Sequence, residues 1–328
     1  MSMELLAAFF GALAISSAVG AFIVPLLRRA KAGQTIRMDG PVWHNKKQGT
    51  PTMGGLIFIA GITIVSIAVS AREIMAGTLT HVYVLLLSLV YAAIGFFDDY
   101  EKLRKKQNLG LTALQKFILQ LVAAFGYLLL LRKSGAMTTG VYVPFANVTL
   151  SVPAPIYYIF AVFVMVGTVN AVNITDGIDG LATGVSIPVA FFFTAVSFIW
   201  GYTALGVFAA SLAGGLTAFL FFNFHPAKVF MGDTGSLFLG GAICATAFAL
   251  DMPLVLVPLG IVYLVEILSD VIQITCFKLT HGKRIFKMAP IHHHFEMCGW
   301  SEKKLFAVFT AVSLLFAVIS YLGVYARY

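Results

Sequence analysis

The sequence predicts an all-α polytopic integral membrane protein of about ten transmembrane helices, with both termini outside and a polar cleft on the cytoplasmic face. Three observations carry that prediction. First, the 328 residues are 59% hydrophobic and only 11% charged, where a soluble domain has about 25% charged residues. Second, apolar runs of about 20 residues, the length that crosses a bilayer as a helix, recur from end to end. Their continuity argues against a membrane barrel, whose strands alternate. Third, the cations gather on alternate connections.

Taken in order, spans are expected at 5–27, 53–71, 80–97, 113–132, 154–172, 181–200, 203–224, 235–251, 253–279 and 304–326. The first follows Glu4 and runs into Arg28, Arg29 and Lys31. It lacks a basic start and is too long for a signal peptide, so it is expected to stay in place. The connection 133–153 holds Val141 to Leu150, which alternates enough for a small hairpin. The fifth and sixth spans flank a polar stretch, Asn170 to Ala182. The ninth carries Glu266 and Asp270 within it, either a functional pair or a polar contact between helices. No internal repeat or low-complexity segment is present, and 1–328 reads as one transmembrane domain.

Connections 28–52, 98–112, 173–180, 225–234 and 280–303 fall on one side. Arg28, Arg29, Lys31, Arg37, Lys46, Lys47, Lys102, Arg104, Lys105, Lys106, Lys116, Lys228, Lys278, Lys283, Arg284, Lys287, Lys303 and Lys304 lie on or beside it, eighteen of the 22 cations. The positive-inside rule makes this face cytoplasmic. The net charge of +8 then marks loops and anionic substrates rather than nucleic acid. Cys244, Cys276 and Cys298 show no paired spacing and imply no disulfide framework.

Only 14 carboxylates are present. Five of them, Asp98, Asp99, Asp176, Asp179 and Asp233, fall at the cytoplasmic ends of spans or in the adjoining loops. Acids clustered beside lysines at headgroup depth suit a divalent cation held between phosphates. If the third span continues as a helix, Lys102 shares a face with Asp98 and Asp99. The plainer reading is a helix end fraying into a charged loop.

Asn170, Asn173, Asp176 and Asp179 follow at a constant spacing of three. A continuing helix would spread them around half its circumference. A turn broken by Gly177 and Gly180, both free to take positive φ, is expected to gather them on one wall. A polar Asp-Gly turn between helices is the plainer alternative. In the stretch Asn223 to Ser236, which includes Phe230, Asp233, Thr234 or Ser236 is positioned to cap the next helix. Glycines and hydroxyls there also suit an anion. His292, His293 and His294 follow Lys283, Arg284 and Lys287. Three consecutive histidines do not point one way, so a loop gripping phosphate or sugar is favoured over zinc.

The motifs Thr50-Pro51-Thr52-Met53-Gly54-Gly55, Asp98-Asp99-Tyr100-Glu101-Lys102, Asn173 to Asp179 and Gly232-Asp233-Thr234-Gly235-Ser236 occur in order on one face. Together they resemble the polyprenyl-phosphate N-acetylhexosamine-1-phosphate transferase superfamily. Met288 to Glu296, with its three histidines, resembles the muramoyl-pentapeptide branch. An N-acetylglucosamine-specific relative is the alternative. The resemblance implies a ten-spanning, commonly dimeric enzyme of the bacterial plasma membrane. It would join UDP-N-acetylmuramoyl-pentapeptide to undecaprenyl phosphate with Mg²⁺, giving a lipid-linked diphosphate and UMP. Nucleoside inhibitors of the tunicamycin type would compete there.

By motif, the resemblance places Asp98 and Asp99 in an aspartate pair beside Lys102 and makes Asp233 the metal ligand. Asn170, Asn173, Asp176 and Asp179 belong to the nucleotide side, Asp179 and Phe230 lying near the uracil. Lys47, Thr52, Asn223, Gln273 and His292 to His294 line the same cleft. For Asp98, the roles of base, nucleophile and electrostatic group stay open. A secondary transporter is the competing class, but it places acids near the bilayer midplane, where only Glu266 and Asp270 fit.

Overall fold

The computed structural model describes residues 2–29, 47, 49–105, 107 and 109–327. Lys31, Arg37, Lys46 and Lys106, counted above among the cations, lie outside the described residues. The chain forms α1 (Met3–Arg29), α2 (Gly55–Val69), the short α3 (Ala71–Met75), α4 (Thr80–Lys105) and α5 (Ala113–Lys133). Strands β1 (Gly140–Val143) and β2 (Val148–Ser151) follow. Then come α6 (Ala154–Thr175), α7 (Leu181–Ile199), α8 (Thr203–Asn223), α9 (Gly232–Ala249), α10 (Leu256–Leu259), α11 (Ile261–Leu279), α12 (Ile291–Glu296) and α13 (Glu302–Tyr325).

Each expected span falls on helix, so the protein is a helical, polytopic membrane protein. Among the described residues seven helices, α1, α4, α5, α6, α7, α8 and α13, are long and apolar enough to cross a membrane. An eighth is added if the bent pair at Pro253–Leu259 and Ile261–Leu279 is one span. With 15 residues, α2 reaches only about 22 Å. The start of α9 is diluted by the polar run from Gly232 to Ser236.

Burial sorts the helices into centre and rim. In α7 and α8, 72% and 78% of the apolar window is enclosed, against 28% in α1, α5 and α13. The continuous helix expected over 253–279 is instead broken, with an 82° bend. Pro253 opens a 3-10 turn that leads into α10. Pro258 has no N–H to donate, and Gly260 both ends α10 and starts α11; a proline two residues before a glycine favours a break in the helix.

One end of the bundle is fastened by the expected hairpin. Its strands pair antiparallel, Gly140 opposite Ser151 and Val143 opposite Val148. The Phe145 N–H donates to the Gly323 carbonyl at 2.8 Å, and Asn147 donates to Ala326 O at 3.1 Å. The Arg327 guanidinium lies 4.5 Å from the Tyr142 ring centre and donates to Asp251 O at 2.8 Å. Leu5 packs beside Gly206 at the start of α8, so both ends of the chain lie at this end of the bundle. The acids and lysines gather at the other.

Candidate active site

At that other end α4 stays helical through Lys105, so Asp98, Asp99 and Lys102 share a face as their spacing predicts. Lys102 Nζ sits 2.6 Å from Asp98 Oδ2, 3.1 Å from Asp233 Oδ2 and 3.9 Å from Asp99 Oδ1. Lys116, from the first turn of α5, pairs with Asp233 Oδ2 and lies 3.9 Å from Asp98. One carboxylate oxygen from each of Asp98, Asp99 and Asp233 falls within 4.8 Å of the others. Asn173 donates to Asp233 Oδ1 at 3.0 Å and to Ser236 Oγ at 2.7 Å. Close packing holds this geometry: a side chain at Gly95 on α4 would overlap the backbone of Asp233 and Thr234.

The cap of α9 differs from expectation. None of Asp233, Thr234 and Ser236 closes its own helix; the N-cap is Met231, with no side-chain bond. Asp99 reaches across from α4 instead. Its oxygens accept from Asp233 N at 3.2 Å, Thr234 N at 2.9 Å and Thr234 Oγ1 at 2.7 Å. A carboxylate at a helix N-terminus satisfies orphan N–H groups and the dipole together. Asp99 therefore holds the helix that carries Asp233, and three donors from α9 occupy its oxygens.

The stretch from 170 to 179 does not form one wall. Asn170 donates to Gln120 Oε1 at 2.7 Å and to Val166 O. Asn173 joins the acidic cluster. Asp176 ends α6 as its C-cap; burial first, then the charges of Asp233, Asp99 and Asp179, holds its carboxyl well above the usual range. Asp179 belongs to a second network. The four split because α6 stays helical through Thr175 and turns their directions apart. Gly180 does take positive φ, 77°. Gly177 does not; its missing side chain leaves room for His292, which any Cβ there would strike.

In the second network Lys47 Nζ lies 2.8 Å from Asp179 Oδ1 and 2.6 Å from Glu302 Oε2. His225 Nδ1 is 2.9 Å from Asp179 Oδ2, which also accepts from Ala227 N. The Asp179 N–H donates to Glu302. Four segments are thus tied through one aspartate. Asp179, His225 and Glu302 also have metal-ligand spacing, with Lys47 between the two acids.

The remaining expected residues support the floor. Thr52 is buried with its hydroxyl against Gly232. Phe230 is laced to the 51–55 segment, its N–H donating to Pro51 O and its carbonyl accepting from Gly54. Asn223 is buried between Thr183 Oγ1 and Val229 O. Gln273 closes the loop before the histidines by bonding Ile285 N, Phe286 N and Phe286 O. The three histidine rings face three partners: His292 meets Glu266, His293 meets Glu296, and His294 accepts from Lys287 N.

Beside the acids runs an apolar groove of about 1040 Å³ between α5, α6 and α11. Leu114, Phe117, Phe125, Ile159, Phe163 and Ile267 are among its lining residues, and Lys116, Gln120 and Asn170 mark its polar end. Sequence reasoning missed Lys116 and Glu302 as site residues. The available signal was a charge at the edge of each apolar run, Lys116 in the fourth and Glu302 before the last.

A model of glycosyl transferase family 4 matches residues 81–251, and a phospho-N-acetylmuramoyl-pentapeptide-transferase signature matches 47–59. A phospho-N-acetylmuramoyl-pentapeptide-transferase of Clostridium botulinum is 47% identical, over 98% of this chain and 97% of its own. That of Clostridium acetobutylicum is 45% identical, over 93% and 94%. That of Staphylococcus aureus is 44% identical, over 96% and 98%. The matched signature begins at Lys47, on the second network, and the family match spans both the aspartate pair and Asp233. The chain belongs to the phospho-N-acetylmuramoyl-pentapeptide-transferase family, within glycosyl transferase family 4.

Proposed function

We propose that this chain transfers phospho-N-acetylmuramoyl-pentapeptide from its UDP carrier to undecaprenyl phosphate, giving lipid I and UMP, as one catalytic domain in the bacterial plasma membrane. The observation that carries the reading is the double position of Lys116. It pairs with Asp233 in the acidic cluster and also lines the apolar groove. A lipid tail in the groove would bring its phosphate to the carboxylates, which the water-soluble substrate reaches from the opposite side. The cationic connections support a cytoplasmic cleft and outer termini. The ten helical segments support ten spans, with the broken pair counted once and α2 and α9 as short members. The family resemblance supports a homodimer and competition by tunicamycin-like nucleosides.

The donor set fits Mg²⁺. Its oxygens come from Asp98, Asp99 and Asp233 within 4.8 Å, and Mg²⁺ takes one or two carboxylates with water and phosphate. Asp233 is the foremost holder, Asp98 the second, and Asp99 fixes α9 behind them. When bound, the ion would screen charge on the diphosphate.

The residues supply the rest. Lys102 and Lys116 lower the repulsion between two anionic substrates. Asp98 orients or deprotonates the lipid phosphate, whose second pKa near 6 is raised by neighbouring acids. The lipid phosphate oxygen attacks the sugar-bearing phosphorus in one displacement, the bond to the UMP oxygen breaks, and UMP leaves with that electron pair. Asn173, Asp176 and Asp179 hold the nucleotide side, with Lys47, Phe230 and the histidine loop around it.

The test is incubation of purified, detergent-solubilised protein with both substrates and Mg²⁺. Release of UMP with formation of lipid I is expected. No UMP release by folded protein rejects the reading, and UMP release without a sealed membrane rejects a transporter.

A further inference from the structure

We propose that His225 is a further binding residue of the sugar-nucleotide site: the second ionic network holds its Nδ1, and its Nε2 meets the uridine nucleotide. The inference rests on the transfer reading above. His225 Nδ1 lies 2.9 Å from Asp179 Oδ2 and 3.4 Å from Glu302 Oε2. A carboxylate only accepts, so the nitrogen facing both acids carries a proton. That bond orients the ring and turns Nε2, on its far edge, away from Asp179.

Nε2 makes no hydrogen bond among the described residues, and it is not one of the enclosed polar atoms. The side chain keeps 33% of its surface exposed. The loop beneath it is pinned. Ala227 N donates to the same Asp179 oxygen at 3.0 Å, and Lys228 N donates to Phe222 O at 2.7 Å.

The network is layered by charge. Its acids lie underneath, with 2% of the Asp179 side chain and 8% of the Glu302 side chain exposed. Its nitrogens lie outermost, on Lys47 and His225, with Lys228 and Arg28 exposed beside them. A surface that buries carboxylates and presents cations attracts an anionic ligand rich in acceptors. The nucleotide is such a ligand. It also suits Nε2 whichever way the ring is protonated. Its phosphoryl and carbonyl oxygens accept from a doubly protonated ring, and its ribose hydroxyls donate to a singly protonated one. The plainer role for His225 is to fasten its loop to the turn after α6 through Nδ1 alone.

The experiment begins with wild-type protein. Diethyl pyrocarbonate acylates accessible imidazole nitrogens, and mass spectrometry follows each histidine peptide with and without saturating UMP. UMP should protect His225 and leave His281, exposed in the turn after α11, labelled as before. Two variants then separate the ring's nitrogens. In His225→Asn the amide N–H falls where Nδ1–H does, so the bond to Asp179 is kept and the outward nitrogen is lost. KM for UDP-N-acetylmuramoyl-pentapeptide, and Kd for UMP by calorimetry, should rise about tenfold, the effect of one hydrogen bond. KM for polyprenyl phosphate should not change. His225→Gln, whose amide reaches the position of Nε2, should restore part of the affinity.

Equal labelling of His225 with and without UMP, equal protection of His281, or protection by the whole sugar nucleotide but not by UMP would overturn the proposal. So would normal nucleotide affinity in folded His225→Asn, which is the outcome of a loop-fastening role. If His225→Asn does not fold, the labelling of wild type decides. Failure of wild type to release UMP from the two substrates would sink the transfer reading instead, and protection by UMP would still report on His225.

Discussion

At the scale of single residues, the three aspartates of the cluster are chemically alike but differently employed. Asp233 receives two ammonium groups and one amide, and it is the least enclosed of the three. Asp233→Asn keeps the shape and removes a full charge from the proposed hard-cation site. Activity should fall by orders of magnitude, and Mn²⁺ binding followed by electron paramagnetic resonance should weaken in parallel; near-normal metal binding in the folded variant would remove Asp233 as the ligand. Asp98 holds Leu111 N through Oδ1 and turns Oδ2 towards Lys102. Asp98→Asn should lower turnover severely while nucleotide binding survives, with a residual rate that climbs with pH if the base role holds. A phospho-muramoyl adduct on Asp98, formed without polyprenyl phosphate, would replace single displacement with double displacement. The i, i+3 and i+4 spacing made Lys102 legible beside this pair. Lys116 was not, because a lysine at the edge of an apolar run looks like a membrane anchor until the fold places it 117 residues away against Asp233.

At the scale of elements, α9 is the clearest case of a helix completed by another. Its first turn has no cap of its own, and Asp99 supplies one from α4. Asp99→Asn leaves a single good acceptor for three donors. It should cost about 1–2 kcal/mol of stability and weaken Mn²⁺ binding less than Asp233→Asn does; thermal unfolding in detergent and the same resonance titration measure the two effects. Equal loss of metal binding in both variants would make Asp99 a ligand rather than a cap. The sequence patterns were informative where structure is local: apolar run lengths marked every long helix, and alternation marked the hairpin. They were uninformative where one element answers another. Nothing near Thr234 announces that its cap is 135 residues away, and spacing alone could not show that α6 stays helical through Thr175 and divides its amides and acids among three environments. The break before α11 was visible as Pro253, Pro258 and Gly260, but a run of unbroken hydrophobicity hid it.

At the scale of the molecule, the bundle has two unlike ends, one closed by the hairpin and the chain termini, the other open and ionic. Cysteine introduced at 47, 105 or 287 should be shielded from an impermeant reagent in intact cells, whereas Thr139→Cys should label; the reverse pattern would turn the molecule over. The groove that ends at Lys116 has a kinetic consequence as well. Lys116 lines the groove while its ammonium meets Asp233, a position suited to a lysine at a boundary. On the proposed reading of the groove as the lipid's seat, one reactant arrives by three-dimensional diffusion and the other by lateral diffusion, and the two are counted in different units: moles per litre for the nucleotide, mole fraction of the micelle or bilayer for the lipid. Adding detergent at constant bulk undecaprenyl phosphate dilutes the second without touching the first. Below lipid saturation, doubling the detergent should roughly halve the rate and leave the nucleotide KM where it was, and holding the lipid-to-detergent ratio constant should restore the rate. An enzyme that drew its lipid from free solution would ignore the ratio. For this protein, surface dilution is a readout of the groove itself.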